Sequence, residues 1–422
     1  MNAYFIAIVT IIVAKYVFDV VVAVLNVRHA DPNLPREFIG CYDEQKYRMS
    51  QQYLRERTHF GVVEDTVGVA LTLGFIVLGG FNWVDGWARS FGCGSIVTGL
   101  LFVAALTLAA QILALPFSLY DTFVIEAKYG FNKTTWKTYV ADLLKSWLLS
   151  ALIGGAAFTA VLWFFQRCGS TAWIYCWLAV TLLQLFLLFI APVAIMPLFN
   201  KFTPLAPGAL RAAIETYAAG QRFAMQGVFT MDGSRRSTKS NAFFTGFGKF
   251  RRIVLFDTLI QKHTVEELVS VLAHEIGHYR KRHILQMVLF SLANTAIMFF
   301  ILSRFLGNRE LFAAFGMEQV SIYASLVFFG FLYTPINMLV SILGNVVSRR
   351  NEYQADAFAA TTYEKPQALI DALKKLSVDN LSNLTPHPFA VFVHYSHPPV
   401  LQRIEAIRRR MPLLAAADVP GK

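Results

Sequence analysis

Glu266-Glu-Leu-Val-Ser-Val-Leu-Ala-His274-Glu275-Ile-Gly-His278-Tyr-Arg-Lys281 carries apolar residues at helical spacing. On a helix, residues four apart share a face, so His274 and His278 can grip one metal ion. Glu275 follows one residue on, within reach of a water on that ion. Two imidazoles and a carboxylate base in this spacing are the arrangement of a zinc protease. Thr264 and Glu267 form a Thr-x-x-Glu pair just ahead of the apolar run, so a capping box is expected to start the helix there. Chance is the competing explanation for an HExxH, and a start signal in the right place weakens it.

The surrounding chain is built for a membrane. Of its 422 residues, 55% are hydrophobic and 15% charged, against about 25% charged in ordinary soluble domains. Seven largely apolar stretches are long enough to span a bilayer: 3–26, 61–83, 95–118, 143–165, 172–197, 284–306 and 320–346. The first is read as a span and not a signal peptide, because it is long, carries Lys15 and Asp19 and lacks a small-residue cleavage site. Basic residues test the count. Loop 27–60 holds Arg28, Arg36, Lys46, Arg48, Arg55 and Arg57, whereas 84–94 has Arg89 alone. Rich and poor loops then alternate to the end of the chain, through Lys128, Lys133 and Lys137, then Arg235, Arg236, Lys239, Lys249, Arg251 and Arg252, to Arg408-Arg409-Arg410. That alternation predicts the N-terminus outside and the basic loops in the cytoplasm. The net charge of +11 is explained by this bias and by attraction to anionic lipid. No zinc-finger spacing, RNP-like motif or basic helical stripe points to nucleic acid.

The four cysteines have no zinc-framework spacing. Cys93, Cys168 and Cys176 fall near the outer face, where a Cys93–Cys168 or Cys93–Cys176 bridge is conceivable, but free or buried thiols are the preferred reading.

Polar chemistry gathers in two segments, 198–283 and 348–422. The first reads as a helix over 208–220, then short strands at Val228–Met231, Asn241–Phe244 and Arg252–Phe256, punctuated by Gly233, Gly246 and Gly248. The second reads as helices over 348–360, 366–378 and 399–411. Neither segment alone completes a metal site, so the two are expected to fold together. The expected organisation is 1–197 for spans one to five, 198–283 for the segment with the edge strand and HExxH helix, 284–347 for spans six and seven, and 348–422 for the segment supplying a third ligand.

A catalytic zinc takes three protein ligands and keeps one position open. Glu352, in Arg349-Arg-Asn-Glu352-Tyr-Gln-Ala-Asp356, is the best third ligand. Asp356 lies one turn later on the same face, able to accept a hydrogen bond from a ligand imidazole and fix its tautomer. Arg349 is placed beside Asp356 in this supporting layer, although an Arg349–Glu352 pair on an exposed helix face is the plainer alternative. His29, His59 and His263 look like surface residues, and His283 is expected to turn away from the metal side. His397, in Tyr395-Ser-His-Pro-Pro399, is held by two prolines and can donate to a developing oxyanion.

Five stretches together resemble the type I CaaX prenyl endopeptidases, integral-membrane zinc metalloproteases. They are Phe123-Val-Ile-Glu-Ala-Lys-Tyr-Gly-Phe-Asn132-Lys, Ser240-Asn-Ala-Phe-Phe-Thr-Gly246, Val271–His278, Glu352–Asp356 and Tyr395–Pro399. HExxH alone is widespread, whereas the five in this order are specific and cover nearly the whole chain. The resemblance implies a mostly α, polytopic seven-helix protein enclosing a chamber, with an α+β zinc-metalloprotease domain on the cytoplasmic face. It implies one Zn²⁺ per chain, held by His274, His278 and Glu352, with Glu275 as general base and His397 near the scissile carbonyl. Substrates would be prenylated C-terminal CaaX peptides, cut after the lipidated cysteine, with Asn241, Ala242 and Phe243 pairing to the peptide as an added strand. The expected partners are membrane lipid and such peptides, with the chain a monomer and its membrane the plasma membrane in a bacterium or the endoplasmic reticulum in a eukaryote. Lys239 departs from the pattern, where His is expected. Two rival readings stand beside this one: a quality-control protease with no prenyl requirement, and a non-enzymatic transporter or scaffold. Intramembrane Lys15, Asp19 and Glu64 favour a transporter, while an intact base and an open ligand set argue against it.

Overall fold

The structure is a computed structural model that describes residues 2–246 and 251–411. Gly248, Lys249 and the end of the last segment lie outside the described residues.

Seven helices are long and apolar enough to cross a membrane. They are α1 (Ala3–His29), α2 (Glu44–Val77), α3 (Ser95–Lys128), α4 (Trp136–Arg167), α5 (Gly169–Phe199), α8 (His283–Phe305) and α9 (Ile322–Thr362). The second ends earlier than its hydropathy suggests. Gly79 takes a left-handed conformation (φ 69°), and residues 80–90 form a separate amphipathic helix. The expected helix over 348–360 is not a separate element either: it is the continuation of α9, which runs unbroken for 41 residues.

Each span packs on the next in sequence. Between α2 and α3 the contact is Phe60 stacked on Tyr120 at 5.0 Å, and α9 returns to α1 to close the ring. At one end of the ring Phe102 and Tyr323 meet within an aromatic cluster that includes Phe81, Phe312, Phe315 and Phe328. Between 6% and 17% of each span's most apolar window is buried, far below what a filled bundle would require.

The second part is a small sheet flanked by helices. Its strands are β1 (Phe202–Pro204), β2 (Gly227–Met231), β3 (Ala242–Thr245) and β4 (Arg252–Phe256), in the order β1-β2-β4-β3. β3 pairs with β4 antiparallel and has no partner on its other side. The strand β1 is too short and too exposed to leave a periodic signal. Helix α6 (Ala209–Gly220) and helix α7 (Val265–Arg280) bury their apolar stripes against the sheet, bringing Ile214, Ile253, Leu255, Leu268 and Leu272 into one core. The capping box forms: Glu267 N–H donates to Thr264 Oγ1 at 3.3 Å, and Thr264 N–H to Glu267 Oε2 at 3.0 Å. Helices α10 (Pro366–Asp379), α11 (Pro388–His394) and α12 (Val400–Arg408) complete the unit. A further core joins Ala273 of α7 to Ala359, Leu369, Ile370, Ile404 and Ile407. It also takes Phe38 and Tyr42 from the first connecting loop and Tyr47 from the first turn of α2, a contribution the basic composition of 27–60 concealed. All four cysteines are free thiols here.

Helices α7 and α9 cross at Gly277. A β-carbon there would stand 3.0 Å from Ala355 Cα and 3.1 Å from Ala355 O. Both are backbone atoms and cannot step aside, so Gly277→Ala forces the helices apart at a cost of roughly 1–3 kcal/mol. The expected result is a lowered thermal midpoint of the purified protein. An unchanged midpoint would show that the crossing has slack.

Candidate functional site

The Gly277 crossing sets α9 directly over the HExxH face of α7. His274 Nε2 and His278 Nε2 converge to 3.1 Å. Glu352 reaches across from α9, its Oε2 3.4 Å from His274 Nε2 and its Oε1 3.2 Å from His278 Nε2. The three side chains offer ligand atoms all within 4.8 Å of one another, and they form the one such group among the described residues. Glu352 Oε2 is buried and makes no hydrogen bond. That oxygen stands between His274 Nε2 and Arg403 Nη1 without bonding either, while Oε1 faces His278 Nε2; a carboxylate and two imidazoles converging in this way are a donor set that fits a metal ion.

The imidazole protons are fixed from behind. Asp356 Oδ1 lies 2.8 Å from His274 Nδ1, so that nitrogen donates to the carboxylate and Nε2 is the ring atom left to ligate an ion in place of its own proton. Burial works against charge on His274, but hydrogen bonds to Asp356 and Glu352 outweigh it and hold the imidazole up to about 9. His278 is set by a second relay. His283 Nε2 stands 3.1 Å from Gln354 Oε1, and His283 Nδ1 stands 3.0 Å from His278 Nδ1. With Gln354 as acceptor, His283 Nδ1 must accept from His278, leaving His278 Nε2 free to ligate. His283 is thus outside the donor group, as expected, but it is not turned away: it touches His278.

Arg403 is the residue that motif reading missed. It is 9% exposed. Its guanidinium donates from Nε to Asp356 Oδ2 at 2.8 Å and from Nη2 to Asp356 Oδ1 at 2.6 Å, while Nη1 stands 3.3 Å from Glu352 Oε2. Burial opposes its charge, and Asp356 more than offsets this, so it stays protonated. One signal was available. Val400, Arg403, Ile404 and Ile407 share the buried stripe of α12, and a lone arginine on an apolar stripe needs buried partners.

Arg349 does not pair with Glu352. Its Nη1 donates to the carbonyls of Val391 at 2.8 Å and Tyr395 at 2.5 Å, which caps α11 and anchors the loop carrying His397. The supporting role expected of it beside Asp356 is replaced by one on that loop. His397 opens onto the cavity with Nε2 3.5 Å from Glu352 Oε1. Ser396 Oγ is 2.9 Å from His397 Nδ1. Desolvation lowers the His397 imidazole from its usual range, an effect tempered by the 64% exposure of its side chain. With the Ser396 hydroxyl donating to Nδ1, its Nε2–H points into the site.

Glu275 lines the same cavity, which has a volume of about 800 Å³ and reaches from His274 and Glu352 along Asn241 and Ala242. Burial raises the Glu275 carboxyl above its ordinary range, with His274 and His278 opposing. The open edge of β3 borders this space. Phe256 N–H donates to Asn241 O at 3.1 Å, and hydrogen-bonded pairs alternate along an antiparallel ladder. Asn241 and Phe243 therefore spend their backbone groups on β4, and Ala242 turns its own outward. Ala242 N–H is held by Asn241 Oδ1 at 2.8 Å. Phe243 does not line the cavity. It pairs with Val254 and sets its ring 6.2 Å from that of Phe256.

Comparison with known proteins bears on this arrangement. Residues 23–201 match the family described as "CAAX prenyl protease N-terminal, five membrane helices", and residues 204–411 match "Peptidase family M48". The chain is 36% identical to a CAAX prenyl protease 1 homolog of Oryza sativa subsp. japonica over 96% of its own length and 97% of the relative's. It is 34% identical to CAAX prenyl protease 1 of Saccharomyces cerevisiae, over 90% and 89%. The crystal structure of S. mikatae Ste24p superposes with a TM-score of 0.92 at 32% identity, over 96% of this chain and 99% of that one. Five membrane helices followed by a peptidase half is the order in which the ring and the sheet unit are joined here, and the chain belongs to the CAAX prenyl proteases of peptidase family M48, as a multi-pass membrane metalloendopeptidase.

Proposed function

We propose that this chain cuts prenylated C-terminal CaaX peptides after the lipidated cysteine, releasing the last three residues. The observation that carries the reading is the meeting, in one cavity, of a three-donor cluster, an adjacent carboxylate and an unpaired strand edge. His274, His278 and Glu352 would hold one Zn²⁺, the ion that two imidazoles and a carboxylate suit. When bound, it supplies Lewis acidity to the scissile carbonyl and acidity to the attacking water. Glu275 takes the proton of that water and returns it to the leaving nitrogen as the C–N bond breaks. His397 donates Nε2–H to the oxygen that gains charge. Asp356, clamped by Arg403, keeps His274 in its ligating tautomer. Ala242 main chain and Asn241 side chain align the peptide, and Phe243 contributes by keeping β3 in register.

Segments 198–283 and 348–422 act as one catalytic unit, a reading supported by the cores they share. The alternation of basic loops supports a site facing the cytoplasm and an N-terminus outside, in the endoplasmic reticulum if the cell is eukaryotic and the plasma membrane if bacterial. The chain acts as a monomer, since the donor cluster is complete within it.

The test compares wild type and Glu275→Gln for bound zinc and for cleavage of a farnesylated CaaX peptide and its unlipidated twin. Zinc in both proteins is expected, with cleavage by wild type alone and in favour of the lipidated peptide. Equal cleavage of the two peptides would indicate a broader quality-control protease. Zinc without any cleavage would favour a non-enzymatic role.

The raised Glu275 carboxyl has a signed consequence for pH. The base must be ionised, and a raised pKa returns its proton at higher pH. The acid limb of kcat/KM is therefore expected above the ordinary glutamate value of about 4.3, with zinc content constant across the series. Full activity below that value would remove Glu275 as the base.

Arg403→Met strands Asp356 and Glu352 as buried anions, a loss of roughly 3–5 kcal/mol. Arg403→Lys keeps the charge but not the two-pronged contact, so its thermal midpoint should fall between those of Arg403→Met and wild type. If Arg403→Met melts like wild type, the carboxylates do not depend on it.

A further inference from the structure

Three connected facts concern Lys239 and Arg57. Both line the active-site cavity, whereas the carboxylates that hold them do not. Lys239 Nζ donates to Glu126 Oε2 at 2.8 Å and to Tyr53 OH at 3.0 Å. Arg57 Nη1 donates to Glu126 Oε1 at 3.2 Å and to Tyr53 OH at 3.1 Å, with its Nε 3.7 Å from Asp121. The anions thus stand behind the two cations and aim them at the cavity. The ammonium also sits 4.3 Å from the centre of the Phe131 ring, a further contact that favours a cation in this place.

The backbone beneath Lys239 is pinned on both sides. Thr258 Oγ1 donates to Lys239 O at 2.9 Å. Asn380 accepts from Ser240 N–H at 3.2 Å and donates to Ser240 O at 3.4 Å. Lys239 is therefore a fixed positive charge three residues ahead of Ala242, whose backbone faces the open edge of β3.

The cavity extends along the chain in one direction only. Ser237, Lys239, Ser240, Asn241 and Ala242 line it, and Phe243, Phe244 and Thr245 do not. A peptide added antiparallel to β3 runs its C-terminal side toward Lys239. Three extended residues reach about 10 Å, and from Ala242 such a stretch runs past Asn241 and Ser240 toward Lys239, all of which line the cavity. A peptide cut three residues before its end carries a free carboxylate at that distance. A buried or half-buried carboxylate needs a charge-assisted partner.

We propose that Lys239 and Arg57 form the subsite that takes the free C-terminal carboxylate of the substrate. The assignment rests on the reading of the chain as a protease that removes the last three residues. It gives Lys239, where the family pattern leads one to expect His, a role in selecting chain ends over internal peptide bonds. It also gives the Phe123–Lys133 stretch a function, since Glu126 is the residue that orients both cations.

The experiment uses the full chain and four peptides: lipidated and unlipidated, each ending in a free carboxylate or in a carboxamide. Wild type is expected to favour the carboxylate by about ten- to hundredfold in kcat/KM, carried mainly by KM. Lys239→Met and Arg57→Gln should reduce that preference to about threefold or less, and Lys239→Arg should restore most of it. The preference is a ratio measured on one enzyme sample, so poor folding of a variant lowers both rates and leaves the ratio intact. Wild type that cleaves acid and amide alike would overturn the assignment, as would variants that keep the preference. Loss of the lipid preference alone, with the carboxylate preference intact, would sink the prenyl reading and leave this subsite standing.

Discussion

The close crossing of α7 and α9 at Gly277 is the constraint on which the site depends. It brings a carboxylate from one helix between two imidazoles on another, although the two sequences lie more than seventy residues apart. Everything else in the site is arranged around that contact. The capping box fixes where α7 begins and hence which residues face α9. Asn351 donates to Gln286 Oε1 at 3.0 Å and ties α9 to α8 on the other side. A site assembled on helices and not on loops holds its geometry to within the tolerance that metal chemistry needs.

The electrostatics follow from the same packing. Glu352 and Asp356 are both nearly inaccessible and one turn apart, which without compensation would be prohibitive. Arg403 offsets part of that cost from a third helix, and two histidines face the rest. The remaining negative character is what a divalent ion would neutralise. Positive charge is distributed differently at the far end of the cavity, where Arg57 and Lys239 face inward and their partners stand behind. The cavity thus has buried carboxylates and imidazoles at one end and two carboxylate-backed cations at the other.

Much of this was legible in the sequence because periodicity reports local structure. The start of α7, the helix over 209–220, three of the four strands and all seven spans follow from spacing and hydropathy. What the sequence concealed was long-range. Arg349 reads as a partner for Glu352 one turn away, but the carbonyls at the end of α11 compete for it and win. His283 reads as turned away because a straight helix would place it so. The break at Arg282, with φ of 59°, swings the next helix round and brings its ring onto His278. Phe243 is assigned to the substrate by the resemblance alone, since alternation along a strand fixes which residues face outward only once the ladder is known. The separate helix over 348–360 was inferred from a change in polarity, yet a helix carries on through such a change when nothing breaks its backbone.

The unbroken α9 has a mechanical consequence. It passes from the membrane span into the site through Pro335, where the ring removes a backbone hydrogen bond. From there to Glu352 the helix extends about 26 Å at 1.5 Å per residue. Over that length, each degree of bending carries the Glu352 backbone sideways by about 0.4 Å, close to the ~0.5 Å within which a catalytic constellation must be held. Bilayer thickness and lateral pressure act on the tilt of that same helix. The ligand geometry is therefore mechanically in series with the lipid around it, and the membrane is a component of the site as well as its container.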